Sequence, residues 1–136
     1  MAETKYGKYL MEAPIKMEEG GHAPLFKIDG AEFGADIRCI LVPVVTPMVM
    51  VDKPHYHDFD QILCFIGSDP YDMRNFGAEI ELSMGEEGEK HIITSPTLVH
   101  LPKGLVHCPL EFKRVDKPVF HLELFLGSEY EKKATS

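Results

Sequence analysis

The sequence predicts an all-β protein, a sandwich or barrel of short strands. Three observations point there. From Asp36 onward, short runs rich in Val, Ile and Leu recur along the chain. Turn-forming pairs such as Ser95-Pro96, Lys103-Gly104 and Lys117-Pro118 separate them. No stretch sustains a strong helical period. Many short apolar strands cut by Gly/Pro turns mark a sandwich or barrel rather than a helical or alternating α/β fold.

Composition sets the outer limits. The 136 residues suit one domain, and a chain of this size buries roughly two-thirds of its unfolded surface. A net charge of −8 and a pI near 5.3 argue against nucleic acid or an anionic membrane as partner, because both demand a basic surface. A small anionic ligand stays possible, since it would feel a local field rather than the net charge. The three cysteines, Cys39, Cys64 and Cys108, are odd in number and read as buried thiols rather than a disulfide framework. No stretch reads as a signal peptide or as a membrane span. The expectation is a soluble protein of a reducing compartment, the cytoplasm.

In chain order, residues 1–24 read as an N-terminal arm with a short helix at most. Tyr6, Tyr9 and Leu10 in it need cover, from the barrel or from a partner subunit. Residues 25–127 read as the β domain. A short extended piece and the turn-prone Asp29-Gly30 open it. The run Ile37 to Val45 is strand-like, with Pro43 and Pro47 marking bulges or edges. Met48 to Val51 follows. Gln61 to Ile66 is apolar on both faces, so both faces should be buried, one in the barrel and the other at a subunit interface. Ala78 to Met84 alternates, with Ile80, Leu82 and Met84 on one face, and Gly85 to Gly88 is an acidic hairpin tip. Further strands are expected near 89–94, 97–101, 106–115 and 118–126. Residues 128–136 read as a polar tail.

The chemistry concentrates in two places. In Pro54-His55-Tyr56-His57-Asp58-Phe59-Asp60-Gln61, the residues His55, His57 and Gln61 are an even number of steps apart. On an extended chain they therefore face the same way; on a helix the two histidine rings would splay by about 200°. Downstream, Pro102-Lys103-Gly104-Leu105-Val106-His107 makes a turn that delivers one more histidine. If the two elements meet, three imidazoles converge on one point. Imidazole suits divalent transition metals, with Fe, Mn, Ni and Zn as the candidates. Three histidines leave open positions, the mark of a reactive rather than a purely structural site.

Together these motifs resemble those of the cupins. The first cupin motif is His-x-His, a short gap, Glu and then Gly; here it reads His55-x-His57, three residues, Gln61, and Gly67. The second, Pro-x-Gly-x-x-His, three residues, then usually Asn, reads Pro102-x-Gly104-x-x-His107 and then Glu111. The resemblance covers roughly residues 37–126. It implies a double-stranded β-helix, or jelly-roll barrel, with a metal held by His55, His57, Gln61 and His107. It also implies oxygenase, decarboxylase, lyase or isomerase chemistry, and pairing into a homodimer.

Two departures from the pattern matter. Gln61 stands where the family has Glu, so the ligand set is neutral. At an effective dielectric of about 20, one unit charge acts on an anion about 5 Å away with roughly 3 kcal/mol. A neutral set should therefore favour an anionic ligand and hold the metal less tightly. Asp60 is an alternative ligand only if a bulge at Phe59 reverses its parity. Glu111 shares parity with His107 and is a candidate catalytic acid or base, or else a carboxylate bonded to Lys113 or Arg114. His121 shares a face with Glu123, opposite Phe120, Leu122 and Leu124. If the leucine face is the core, His121 looks outward; if not, it becomes a candidate catalytic residue in the pocket. Cys108, opposite in parity to His107, reads as a buried thiol. His91 and His100 read as surface residues.

Two functions fit: a metal-dependent enzyme acting on a small oxygen-rich or carboxylated molecule, or a non-enzymatic module that binds or senses such a molecule.

Overall fold

The computed structural model describes residues 4–127 and the two-residue strand Lys133–Ala134. The described residues form strands β1 (Phe26–Asp29), β2 (Arg38–Val44), β3 (Met48–Val51), β4 (His55–Tyr56), β5 (Gln61–Gly67), β6 (Ala78–Met84), β7 (Glu89–Ile93), β8 (Thr97–Leu101), β9 (His107–Val115), β10 (Val119–Phe125) and β11 (Lys133–Ala134). One short helix, α1 (Gly30–Phe33), follows β1. Asp29 caps it by accepting from the Ala31 N–H, and Gly34 closes it at φ +79°, a conformation that glycine reaches without steric cost. Gly30 sits so close to the Ala35 and Ile37 backbones that a Cβ would collide with them.

Every strand pair is antiparallel. One sheet runs β1-β2-β10-β5-β8; the other runs β11-β4-β9-β6-β7, with β3 also on β9. The partners are distant in sequence: β10 lies between β2 and β5, and β9 between β4 and β6. The two sheets enclose one core, the expected jelly roll. Phe65, Phe112, Leu63, Ile80, Leu82, Leu101 and Leu110 are its largest fully buried side chains, each worth roughly 1.5–3 kcal/mol of transfer free energy.

The alternation of β5 is clean. Gln61, Leu63, Phe65 and Gly67 are buried, while Ile62, Cys64 and Ile66 are half-buried on the outer face. On β10 the inward residues are Val119, His121 and Phe125, and Phe120, Leu122 and Leu124 lie outward. The outer face of the five-stranded sheet is thus apolar across neighbouring strands: Leu41, Leu122, Cys64 and Leu98 stand in one row of register.

The arm makes a 3-10 turn at Gly7–Tyr9 and an isolated bridge from Lys16 to Leu25. Tyr6, Tyr9 and Leu10 stay exposed, Leu10 at 77%, so the barrel does not cover them. Of the segment read as a polar tail, residues 128–132 and 135–136 lie outside the described residues, and Lys133–Ala134 pair with His55–Tyr56. No helix among the described residues is long and apolar enough to cross a membrane.

Candidate metal centre

The two histidine motifs meet through backbone chemistry. His55 and His107 are register partners on β4 and β9. The second-motif turn closes through the Leu105 N–H donating to the Pro102 carbonyl at 3.0 Å. It is fastened to the first motif twice: the Gly104 N–H donates to the His57 carbonyl at 2.9 Å, and the Lys103 N–H to Asp60 Oδ1 at 3.1 Å. Gly104 holds φ +86°, which explains why glycine stands in this turn.

The result is a three-imidazole cluster. Ring centroids are 4.9 Å apart for His55 and His57, 4.5 Å for His55 and His107, and 5.1 Å for His57 and His107. All three rings are buried and line a cavity of about 320 Å³ between the sheets. His55 Nδ1 lies 3.1 Å from the Lys53 carbonyl and His107 Nδ1 2.9 Å from the Leu105 carbonyl. A carbonyl only accepts, so each Nδ1 carries the proton and each Nε2 keeps its lone pair. His57 stacks on Phe59, with 4.9 Å between centroids and 14° between planes. Burial first, then the other two imidazoles, push the His107 pKa down from 6.5 to about 4, against the Leu105 hydrogen bond and Glu123. At neutral pH it is therefore a neutral donor.

Gln61, the first residue of β5, is buried on the same cavity wall. Its Oε1 and His107 Nε2 are the buried side-chain polar atoms without a hydrogen-bond partner among the described residues. An unpaired buried acceptor costs about 1–3 kcal/mol, so each of the two atoms is open to an electrophile. A divalent transition metal fits this donor set: neutral imidazoles, an amide oxygen and a thiol.

The thiol is Cys108, which parity had placed on the opposite face. Its Sγ and the donor atoms of His55 and His107 lie within 4.8 Å of one another. In the β6–β9 register, Leu82 faces Leu110 and Met84 faces His107. Two steps on β6 span three on β9, so β9 carries a bulge, and Cys108 sits in it at φ +82°. His107 and Cys108 both turn inward as a consequence.

The same bulge corrects the expectation for Glu111. Beyond it Leu110 and Phe112 point in, while Glu111 lies across from Glu81 on the outer face. There Glu81 accepts from Lys113 at 2.7 Å, which holds the Glu81 carboxyl below its ordinary value. Glu111 is not among the cavity-lining residues. Asp60 also faces away. It meets His100 at 2.7 Å, and that hydrogen bond leads the causes that lower its pKa.

His121 faces the core, not solvent, with 0% of its surface exposed. It stacks on Phe65 at 4.5 Å and 13°. Its Nδ1 is 3.3 Å from the Cys64 carbonyl and its Nε2 is 3.1 Å from Glu123 Oε1. Glu123 lines the cavity, and sequence reasoning had singled it out only as His121's neighbour. Its alternation with His121 and Phe125 was the available signal. The arm contributes to the cavity mouth, where Glu18 pairs with Lys27 at 2.8 Å.

The jelly roll that brings these histidines together has counterparts among solved structures. No family model and no curated protein matches the sequence. A single-residue variant of the oxalate decarboxylase of Bacillus subtilis superposes with a TM-score of 0.56 at 15% identity, over 88% of this chain and 29% of that one. An oxalate decarboxylase structure from the same organism, described for its Mn(II) centres, gives 0.55 at 17% identity, over 90% and 30%. An oxalate oxidase in complex with glycolate gives 0.53 at 12% identity, over 81% and 53%. The chain therefore spans under a third of the decarboxylase and about half of the oxidase. These are cupin-fold proteins, and this chain is a cupin-fold protein too.

Proposed function

We infer that the chain is a metal-dependent cupin that holds a small carboxylated molecule beside a divalent transition metal and acts on it as an enzyme. The metal's ligands are His55, His57 and His107, with Gln61 as a neutral oxygen donor. The observation that carries this reading is the pair of unpartnered buried atoms, His107 Nε2 and Gln61 Oε1, on one cavity wall. Fe, Mn, Ni and Zn all suit imidazole ligands. The likeness to oxalate decarboxylase, one structure of which is described for its Mn(II) centres, adds support for a metal.

When bound, the ion supplies a cation that attracts and polarises a carboxylate oxygen. The rest falls to the chain. The cavity, about 320 Å³, lies at the small end of ligand pockets, roughly 300–1,000 Å³, and admits a molecule of a few heavy atoms. Leu63, Val42 and Phe125 exclude water from its wall. Glu123 is the acid–base group. The contact between its Oε1 and His121 Nε2 requires one shared proton, because His121 Nδ1 already donates to Cys64. That proton sits at the cavity edge, where it can be given to or taken from a bound ligand. The likeness to an oxalate oxidase in complex with glycolate supports small acids as the ligand class.

One observation favours the alternative, a non-enzymatic binding module. Glu111 faces outward and His121 has no exposed surface, so Glu123 alone carries the acid–base role. Elemental analysis of protein purified without added metal, followed by calorimetric titration with oxalate and glycolate, tests the reading. One metal per chain, lost in His55→Ala/His107→Ala, and metal-dependent acid binding are expected. Metal-independent binding, or no metal, refutes it. Turnover of a bound acid, abolished in Glu123→Gln, separates enzyme from binder.

A further inference from the structure

We propose that Cys108 is itself a metal ligand, its thiolate joining His55 and His107 in a mixed sulfur–nitrogen centre. The inference rests on the reading of the cavity as a metal site and deepens it. The donor atoms of these three buried residues lie within 4.8 Å of one another. Ligands with bonds of about 2.0–2.3 Å on one ion can stand at most about 4.6 Å apart. Small side-chain adjustments therefore suffice to bring all three onto one ion. The backbone is committed to this arrangement: φ +82° at Cys108 and the bulge in β9 turn it to the same side as His107. His107 Nε2 and Gln61 Oε1, both buried and unpartnered, mark the same cavity as a place for a cation.

Charge gives an independent reason. Three neutral imidazoles and one amide leave both charges of a divalent ion uncompensated in a buried cavity, and an uncompensated buried charge is costly. Of the carboxylates on the cavity wall, Glu18 is paired with Lys27 and Glu123 with His121. A thiolate at Cys108 supplies one of the two missing negative charges. Binding exchanges the S–H bond for a sulfur–metal bond, the proton leaves to solvent, and no electron changes hands. Thiolate is a soft donor that selects zinc or cobalt over manganese. The centre then differs in metal preference from one built of imidazole and oxygen alone.

Anaerobic titration of metal-free protein with Co(II) tests this. Wild type should develop visible ligand-field bands together with a near-ultraviolet thiolate-to-cobalt band, both saturating at the same cobalt concentration. Cys108→Ser should lose the near-ultraviolet band and keep the visible ones, whereas Cys39→Ser and Cys64→Ser should keep both. Loss of the thiolate should lower zinc affinity by at least the roughly ten- to hundredfold that outer-sphere partners are worth. Manganese affinity should fall much less, because manganese loses the charge compensation but no favoured soft bond. Visible bands without the near-ultraviolet band in wild type overturn the thiolate ligand and leave the metal site standing. A near-ultraviolet band that survives Cys108→Ser, or equal losses for zinc and manganese, does the same. No cobalt bound at all overturns the metal reading, and this inference with it. The wild-type spectrum decides even if the serine variant folds poorly.

Discussion

The imidazole of His121 and the carboxylate of Glu123, two residues apart on β10, meet at 3.1 Å, one sealed in the core and the other on the cavity wall. The buried ring fixes the carboxylate, and Phe65 and Phe112 fix the ring, at 4.5 and 6.0 Å between centroids. On the proposed reading this carboxylate serves a bound acid as proton donor or acceptor, and the proton it shares with His121 leaves the pair without net charge. Glu123→Gln should therefore abolish turnover while leaving oxalate or glycolate binding to the metal-loaded protein nearly unchanged. An uncompensated unit charge about 5 Å away would be worth at most roughly 3 kcal/mol, so marked tightening would instead mean that the pair carries a net negative charge. Calorimetric titration checks it, and weaker binding would place Glu123 among the groups that bond the ligand directly.

The buried His107 ring sets a pH dependence for the metal-free protein. Its pKa is about 4 in the fold, against an ordinary 6.5, chiefly through burial. Between those values the unfolded chain takes up a proton that the folded chain refuses. Acid thus favours unfolding across this window, and the full stability is present above about pH 6.5. A gap of this size corresponds to roughly 3 kcal/mol. The carboxylates of Asp60 and Glu81, whose pKa values lie below ordinary, lose their contribution only at lower pH. Urea midpoints at pH 7, 5.5 and 4.5 should fall steadily for wild type and much less for His107→Gln.

A homodimer, the proposed state, would cover the apolar outer face of the five-stranded sheet and the exposed arm. Leu98, 73% exposed, stands in register with Cys64, and Cys64 with Leu122. Leu98→Lys should weaken pairing and leave monomer stability within about 0.5 kcal/mol, as exposed substitutions usually do. Sedimentation across the micromolar range should show a dimer for wild type and dissociation for the variant. A wild-type monomer throughout would refute the pairing.

The sequence made most of this architecture legible, and its errors share a physical origin. Strands β6 and β8 fall where alternation and Gly/Pro punctuation put them, because those signals are local. His55, His57 and His107 come together because parity holds on either side of the Gly104 turn. Counting fails across the bulge at Cys108: one extra residue turns Cys108 in and Glu111 out, and neither residue type announces a bulge. The face of His121 was open for a different reason. The more apolar face of β10, with Phe120, Leu122 and Leu124, is the outer one, and only the packing of the opposing sheet turns the His121 face inward.

Gln61→Glu is the sharpest test of the site's charge. Gln61 is buried with an unpartnered Oε1 and lines the cavity together with His55, His57 and His107. A carboxylate there removes one unit of net positive charge from the metal-loaded centre. Metal affinity should rise, since an anionic oxygen replaces a neutral one. Affinity for an anionic acid should fall, by no more than roughly 3 kcal/mol at about 5 Å. The metal-free variant should also be less stable at neutral pH, because it buries a carboxylate where the native amide was merely unpartnered, and bound metal should restore the loss. Metal affinity rises while acid affinity and metal-free stability fall, so no general weakening of the fold can imitate the set. A fall in both metal and acid affinity would mean a steric clash. No change in either would place Gln61 outside the ligand set and leave the metal to the histidines and Cys108. Metal and oxalate titrations at one ionic strength, with urea midpoints of both forms, separate these outcomes.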